Sequence, residues 1–377
     1  MRRAMNMNLI YTLFGAANMQ RWNDHLRPMD LTELDKQAHK MVIAWVLAKF
    51  EESEKSENID WRRLIENSMF SFIQRVILTD LKPQLFHRMV REKGKEVNRY
   101  VLTQFDKLVP DMDIRFRKKL ETYLNSDLMS KEDRLIRAAH YLATLWEFKL
   151  VYNANQTTYG IDKTKGEIEK QIGEYADISG VVRLLFGKDT FDFIDLCGQL
   201  RFQKRWARTP RIPQTTVLGH MFMVANMIYL HDLDIKAEDS VVYRDYFTAL
   251  FHDLPEVLTK DVISPIKTSI GGLDELLSDY EKEMISSTLL PLLPEEWHND
   301  FRSLIDDPFG DSGGSNGKAI KVCDLLAAYM EAHVSECHGV SSKALSDGKA
   351  ELKMNLLSSD TEIDTKDLIE RLDMIRI

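Results

Sequence analysis

Cysteine is scarce in this chain: Cys197, Cys323 and Cys337 are three, an odd number without metal-type spacing. That argues against a disulfide framework and fits reduced thiols in a cytoplasmic protein. A basic excess is also missing. The 50 Lys and Arg face 59 Asp and Glu, a formal net charge of −9, so a general nucleic-acid-binding surface is not expected. No membrane partner is expected either. The opening MRRAMNMNLIYTLFGAAN imitates a signal peptide, but Asn6, Asn8 and Tyr11 interrupt it and it is too short to span a bilayer. Sustained period-two runs with hairpin turns are absent, which excludes a dominant sheet.

What is present is apolar spacing of three and four residues almost throughout, as in HKMVIAWVLAKF, VLGHMFMVANMIYL and IKVCDLLAAYMEAHV. This predicts an all-α fold. A chain of 377 residues with 44% hydrophobic content has room for two or three domains and a sizeable core. Pro265 and Pro291 stand where helices should end or bend, and DDPFGDSGGSNGK (306–318) reads as the clearest loop.

Ionisable residues inside the apolar runs are the strongest functional signal. His220, the doublet His252-Asp253 and Asp324 lie in LGHMFMVANMIYL, ALFHDLPEVLT and AIKVCDLLAAYM. Burying such groups costs several kcal/mol, roughly, unless they are paired or bound to metal. Any one of them alone reads as a satisfied polar core residue. Two imidazoles and two carboxylates from three helices together read as an N/O site for one divalent cation: Mn, Co, Fe or Mg.

The order His…His-Asp…Asp resembles the HD superfamily of metal-dependent phosphohydrolases. Arg205-Trp206 before the first His and HDLPEVLTKDVISPIK after it narrow the resemblance to the YfbR-like 5′-deoxynucleotidase branch, over roughly residues 190–340. The resemblance implies His220, His252, Asp253 and Asp324 as metal ligands and Glu256 as general acid, with Asp253 also orienting the attacking water. It further implies substrate contacts from Arg205, Trp206, Asp261 and Lys267. The spacing is consistent with the Glu256 role: if HDLPEVL is helical, Glu256 shares a face with the metal pair. Pro255 allows another reading, in which Glu256 only starts a helix. Likewise Trp206 reads either as a pocket wall or as packing.

An internal repeat organises the rest. Arg21-Trp22 matches Arg205-Trp206, FIQRVILTDLKP matches LPEVLTKDVISP, and RLIRAAHYLATLWE matches KAIKVCDLLAAYME. This pairs His39 with His220 and His140 with Asp324, places Phe72-Ile73 or their neighbours opposite the HD doublet, and sets Val76 opposite Glu256. The expectation is two HD-like helical domains in a pseudo-dimeric tandem. Residues 1–150 form a degenerate unit with no metal site, 151–185 a connector, and 186–377 the catalytic unit. The chain would be a monomeric pseudo-dimer or a homodimer. The substrate implied is a small phosphate ester, a nucleoside or deoxynucleoside 5′-monophosphate. A deoxynucleoside triphosphate hydrolase is the alternative within the enzyme class, and a nucleotide-sensing protein without turnover the alternative outside it.

Overall fold

The computed structural model describes residues 5–79, 81, 83–260, 272–310 and 314–375, and these are all-helical. Among the described residues there is no strand, only isolated antiparallel bridges between Gln20 and Thr32 and between Lys204 and Thr216. The signal-like opening is a core helix. Met7–Phe14 is capped by the Asn6 side chain and buries Leu9, Ile10, Leu13 and Phe14.

Two long helices run through the centre, Glu33–Lys55 and Val217–Ile235. Each begins on a threonine whose Oγ1 accepts a first-turn N–H: Thr32 from Asp35 (3.2 Å) and Thr216 from Gly219 (3.0 Å). Neither has a solvent face along most of its length, as befits helices enclosed on all sides. They pack on each other. Lys131–Asn155 covers the first, and Asp239–Phe251 and Gly317–Cys337 cover the second.

One hydrophobic core crosses from the front of the chain to the back. Trp45 meets Phe251 and Trp297 edge-on, at 5.5 and 5.8 Å between ring centroids, and its indole N–H donates to the Tyr243 hydroxyl at 3.0 Å. Phe72 lies 5.3 Å from Phe222. The 151–185 stretch also packs: Ile161–Gly173 and Ser179–Phe186 are helices. Gly180 is so close to the Glu33–Lys55 helix that a Cβ there would meet Leu47 Cδ2 at 2.7 Å.

Backbone features recur at a constant step. Trp22 and Trp206, each just past its bridge residue, both take left-handed φ, 56° and 54°. The same step carries Thr32 to Thr216, His140 to Asp324 and Glu147 to Glu331. It carries Lys36, not His39, to His220. Matching the imidazoles therefore misplaces the register. The helix starts define it, and the longer first helix (23 residues against 19) absorbs the difference at its C-terminal end. At the following helix the step changes. Thr79 and Lys260 close their helices with φ of 58° and 61°, which sets Arg75 rather than Val76 opposite Glu256, and Ser71 and Phe72 opposite the HD doublet.

The first half fills its centre with paired charge. Arg21 contacts Glu33 at 2.9 Å and Glu147 at 2.8 Å, Arg201 contacts Glu147 at 3.1 Å, and Lys36 Nζ reaches the His140 ring nitrogens at 2.9 and 3.0 Å. His39 is buried apart from this pair. Its Nε2–H donates to the Ile194 carbonyl at 2.8 Å, and its Nδ1 accepts from Arg201 at 3.3 Å. Burial, helped by the Arg201 charge, pushes the His39 pKa down to about 3.

Two outcomes follow from this packing. An unfolded His39 takes a proton below about pH 6.5, whereas the native one stays neutral down to about 3. The unfolded state then binds more protons, so stability falls as pH drops through that window, by up to about 1.4 kcal/mol per pH unit. His39→Gln should flatten this acid limb in urea midpoints; an unchanged slope would assign it to another group. Separately, a fragment starting at residue 186 loses the Trp45 and Phe72 contacts, and light scattering should show it aggregating or self-associating. A monodisperse monomer would contradict the shared core.

Candidate metal centre

The four expected ligands arrive from three elements. His220 sits in the first turn of Val217–Ile235, anchored by its N–H to the Thr216 carbonyl at 3.0 Å. His252 lies just beyond Asp239–Phe251, followed by Asp253, and Asp324 projects from Gly317–Cys337. HDLPEVL is not one helix. Residues 252–255 form a turn, and a short helix, Glu256–Thr259, restarts after Pro255, where the fixed φ of proline favours a helix start.

Ligand atoms of His220, His252 and Asp324 lie within 4.8 Å of one another. His220 Nε2 is 3.0 Å from Asp324 Oδ1, and His252 Nε2 is 3.2 Å from Asp253 Oδ2. Asp253 stands at the edge of the triad, with Oδ2 also 3.4 Å from Arg205 Nη1. Both imidazole side chains are fully buried, whereas Asp253 and Asp324 keep 19% and 14% exposure, so the site opens on its carboxylate side.

The imidazoles are turned for ligation. His252 Nδ1–H donates to the Ala249 carbonyl at 2.7 Å, which leaves Nε2 as a buried lone pair with no hydrogen bond. A lone pair facing a carboxylate at 3.2 Å calls for something positive between them. His220 Nδ1 faces Glu331 Oε1 at 3.7 Å, beyond hydrogen-bond distance.

Electrostatics agree. Burial works against ionising Asp253, but His252 and then Arg205 hold its carboxyl well below the usual range. Burial also opposes charge on His252, yet Asp253 and Asp324 raise its pKa overall. Carboxylates that draw a proton onto a buried imidazole will draw a dication instead. The residues present therefore fit a divalent metal bound through N and O donors.

Arg205 links this centre to a cavity of about 290 Å³ lined by Lys204, Trp206, Arg208 and the chain through Gln214. Burial opposes its charge, but Glu331, Asp253, Asp324 and Glu256 outweigh that and keep it cationic. Trp206 donates its indole N–H to Glu331 at 3.0 Å, and Trp22 donates to Glu147 at the same distance. Its ring edge is covered by Gly348, where a Cβ would approach to 2.9 Å. The same indole–carboxylate bond thus recurs at Trp22 and Trp206, and Trp206 in addition lines the cavity. Asp261 and Lys267 lie outside the described residues.

Three residues at the site escaped the sequence reading. Glu331 accepts from Trp206 and from Thr215 (2.7 Å) and faces Arg205 and Arg211, each at 3.7 Å. Lys321 Nζ donates to Asp324 Oδ2 at 2.8 Å. Helix spacing held the clue, since Lys321 lies one turn before Asp324 and Glu331 two turns after it, all on one face.

Residues 197–355 match the HD domain family. A 5′-deoxynucleotidase of Yersinia pestis is 31% identical over 141 residues, 35% of this chain and 68% of that protein. The chain belongs to the HD superfamily. A 5′-deoxynucleotidase of Pectobacterium atrosepticum is 29% identical over 138 residues, 35% of this chain and 67% of that protein. One from Pasteurella multocida is 25% identical over 171 residues, 45% of this chain and 86% of its own length. This HD protein is a hydrolase, an HD-type phosphohydrolase, on an all-α fold. Among its described residues no helix is long and apolar enough to cross a membrane.

For this HD centre, Asp253→Ala should abolish bound metal and turnover together while circular dichroism keeps its helical content, because a hard site loses both charge and geometry with one carboxylate. Wild-type turnover in that variant would end the metal-hydrolase reading.

Proposed function

We propose that this protein is a metal-dependent phosphomonoesterase releasing phosphate from nucleoside 5′-monophosphates, deoxynucleotides among them. The observation that carries the reading is the convergence of His220, His252 and Asp324 within ligation distance, beside Arg205 and a basic-lined cavity. The names of the three relatives above, each a 5′-deoxynucleotidase, point to the same substrate class. The catalytic unit is assigned to residues 186–377, and residues 1–150 are assigned no metal. The side chains of Lys36 and His140 stand where the second half has His220 and Asp324.

His220, His252, Asp253 and Asp324 would hold one divalent cation, which when bound lowers the pKa of a coordinated water and polarises a phosphate oxygen. Asp253, with one oxygen toward His252 and Arg205, leaves the other to orient the attacking water. Arg205 is a forked donor for phosphate oxygens at the junction of site and cavity. Glu256 opens its short helix two residues past Asp253–Leu254, with its N–H on the Asp253 carbonyl at 3.1 Å, and is assigned the proton for the departing sugar alkoxide. Asp261 and Lys267 keep their assignment as substrate contacts from the resemblance alone, and Trp206 is assigned the pocket wall.

Phosphate release from a panel of nucleoside mono- and triphosphates, with Mn²⁺, Co²⁺ and Mg²⁺ in turn, tests this reading. Release from monophosphates supports it, tripolyphosphate from triphosphates replaces it with the triphosphohydrolase, and binding without turnover supports a sensor. Glu256→Ala should retain metal and substrate and lose turnover by roughly two to four orders of magnitude. Loss of metal in that variant would make Glu256 a ligand instead.

A further inference from the structure

The start of the His220 helix is held from outside its own half of the chain. Thr216, its cap, accepts the Gly219 N–H and donates its own hydroxyl to Asp35 Oδ1 at 2.6 Å. Asp35 Oδ2 accepts from the Thr32 hydroxyl at 2.9 Å. One buried carboxylate therefore ties together the caps of both central helices, and Thr32 and Thr216 are equivalent positions in the repeating backbone. The same step carries Asp35 to Gly219. These two equivalents touch: a Cβ on Gly219 would lie 2.7 Å from Asp35 Oδ1. Equivalent residues meet each other only at the axis of an isologous arrangement. Asp35 thus sits where a two-fold axis between the halves would pass, and glycine is the residue that leaves space for it.

We propose that Asp35, a residue of the first half, is a positioning residue for the metal centre of the second. From the axis between the halves its carboxylate fixes the helix start that presents His220. Asp35 touches neither metal nor substrate. It acts through Thr216, whose carbonyl holds the His220 N–H and whose hydroxyl caps the same turn. Freed of Asp35, Thr216 keeps its cap but loses the fixed hydroxyl orientation, and the first turn can rotate about the helix axis. A small rotation there moves His220 Nε2 away from Asp324 Oδ1, now at 3.0 Å. Outer-sphere partners of this kind typically contribute ten- to hundred-fold to metal affinity. The inference rests on the metal-centre reading and adds a contribution from the half that lacks a metal.

The test is a Mn²⁺ titration of the metal-stripped full chain, with melting midpoint and helicity recorded on the same samples. Asp35→Ala and Thr216→Val should each weaken Mn²⁺ binding by roughly ten- to hundred-fold, and Thr216→Ser, which keeps the hydroxyl, should restore it. Thr32→Val removes the other cap but leaves the Asp35–Thr216 bond, so it should lower the melting midpoint with Mn²⁺ affinity unchanged. If Asp35→Ala does not fold, the Thr216→Val and Thr216→Ser pair decides. Parent-like affinity in Thr216→Val, or equal weakening by Thr32→Val, would reduce Asp35 to an interface contact and overturn the proposal. A parent chain that takes up no Mn²⁺ would overturn the metal centre and this proposal together.

Discussion

A carboxylate that cannot reach water must be given a cation, and Glu147 and Glu331 impose that demand at matched places in the two halves. Both are buried on long helices, and both accept an indole N–H and face an arginine. Leaving either without its arginine would strand a buried charge, at a cost of several kcal/mol, roughly. The clamp is tight in the first half, where Arg21 Nε is 2.8 Å from Glu147, and looser in the second, where Arg205 Nε is 3.7 Å from Glu331. Arg211 shares the second load, which lets Arg205 extend to Asp253. Glu147 also has two arginines, Arg21 and Arg201, so what distinguishes the second half is the longer Arg205–Glu331 contact and the reach of Arg205 to Asp253.

The ligand positions show two solutions to one electrostatic problem. In the second half Asp253 and Asp324 lie against two imidazoles, and the reading proposed here assigns a divalent cation to them. In the first half Lys36 and His140 stand at the equivalents of His220 and Asp324, with Arg21 and Arg75 close to Glu33. Burial, together with the Arg21 charge, drives the Lys36 pKa well below the usual ammonium range, with Glu33 and Glu147 opposing. The cationic character there is carried by the chain's own side chains.

Much of this was legible in the sequence because buried charge is costly and therefore conspicuous. Ionisable residues inside apolar runs pointed to His220, His252, Asp253 and Asp324, and two Arg-Trp pairs pointed to a recurrence. The register failed at His39 because the pairing followed side-chain identity. The fold follows the N-caps, Thr32 and Thr216, which look like ordinary hydroxyl residues in sequence. HDLPEVL breaks at Pro255 instead of running as one helix, the alternative that the proline itself offered, and Glu256 opens the next short helix. Glu331 and Lys321 were within reach of helix spacing, whereas Arg211 lies in the loop before the His220 helix and was not. Asp35 was not, since its partner Thr216 is distant in the chain and only the crossing of the two central helices brings them together.

That crossing explains why two unlike halves suit one chain. Two identical units meeting at this axis would place either aspartate against aspartate or glycine against glycine. The first would bury two carboxylates face to face, forcing one to take a proton or move apart. The second would leave both cap hydroxyls without the shared acceptor. Asp35 opposite Gly219 avoids both outcomes, and only a chain in which the halves can differ provides it. Lys36, at the position equivalent to His220, and Asp35, the carboxylate that meets Gly219, are adjacent in the chain. On the reading proposed here, the half assigned no metal supplies, in Asp35, the carboxylate that steadies the helix start of the half assigned one.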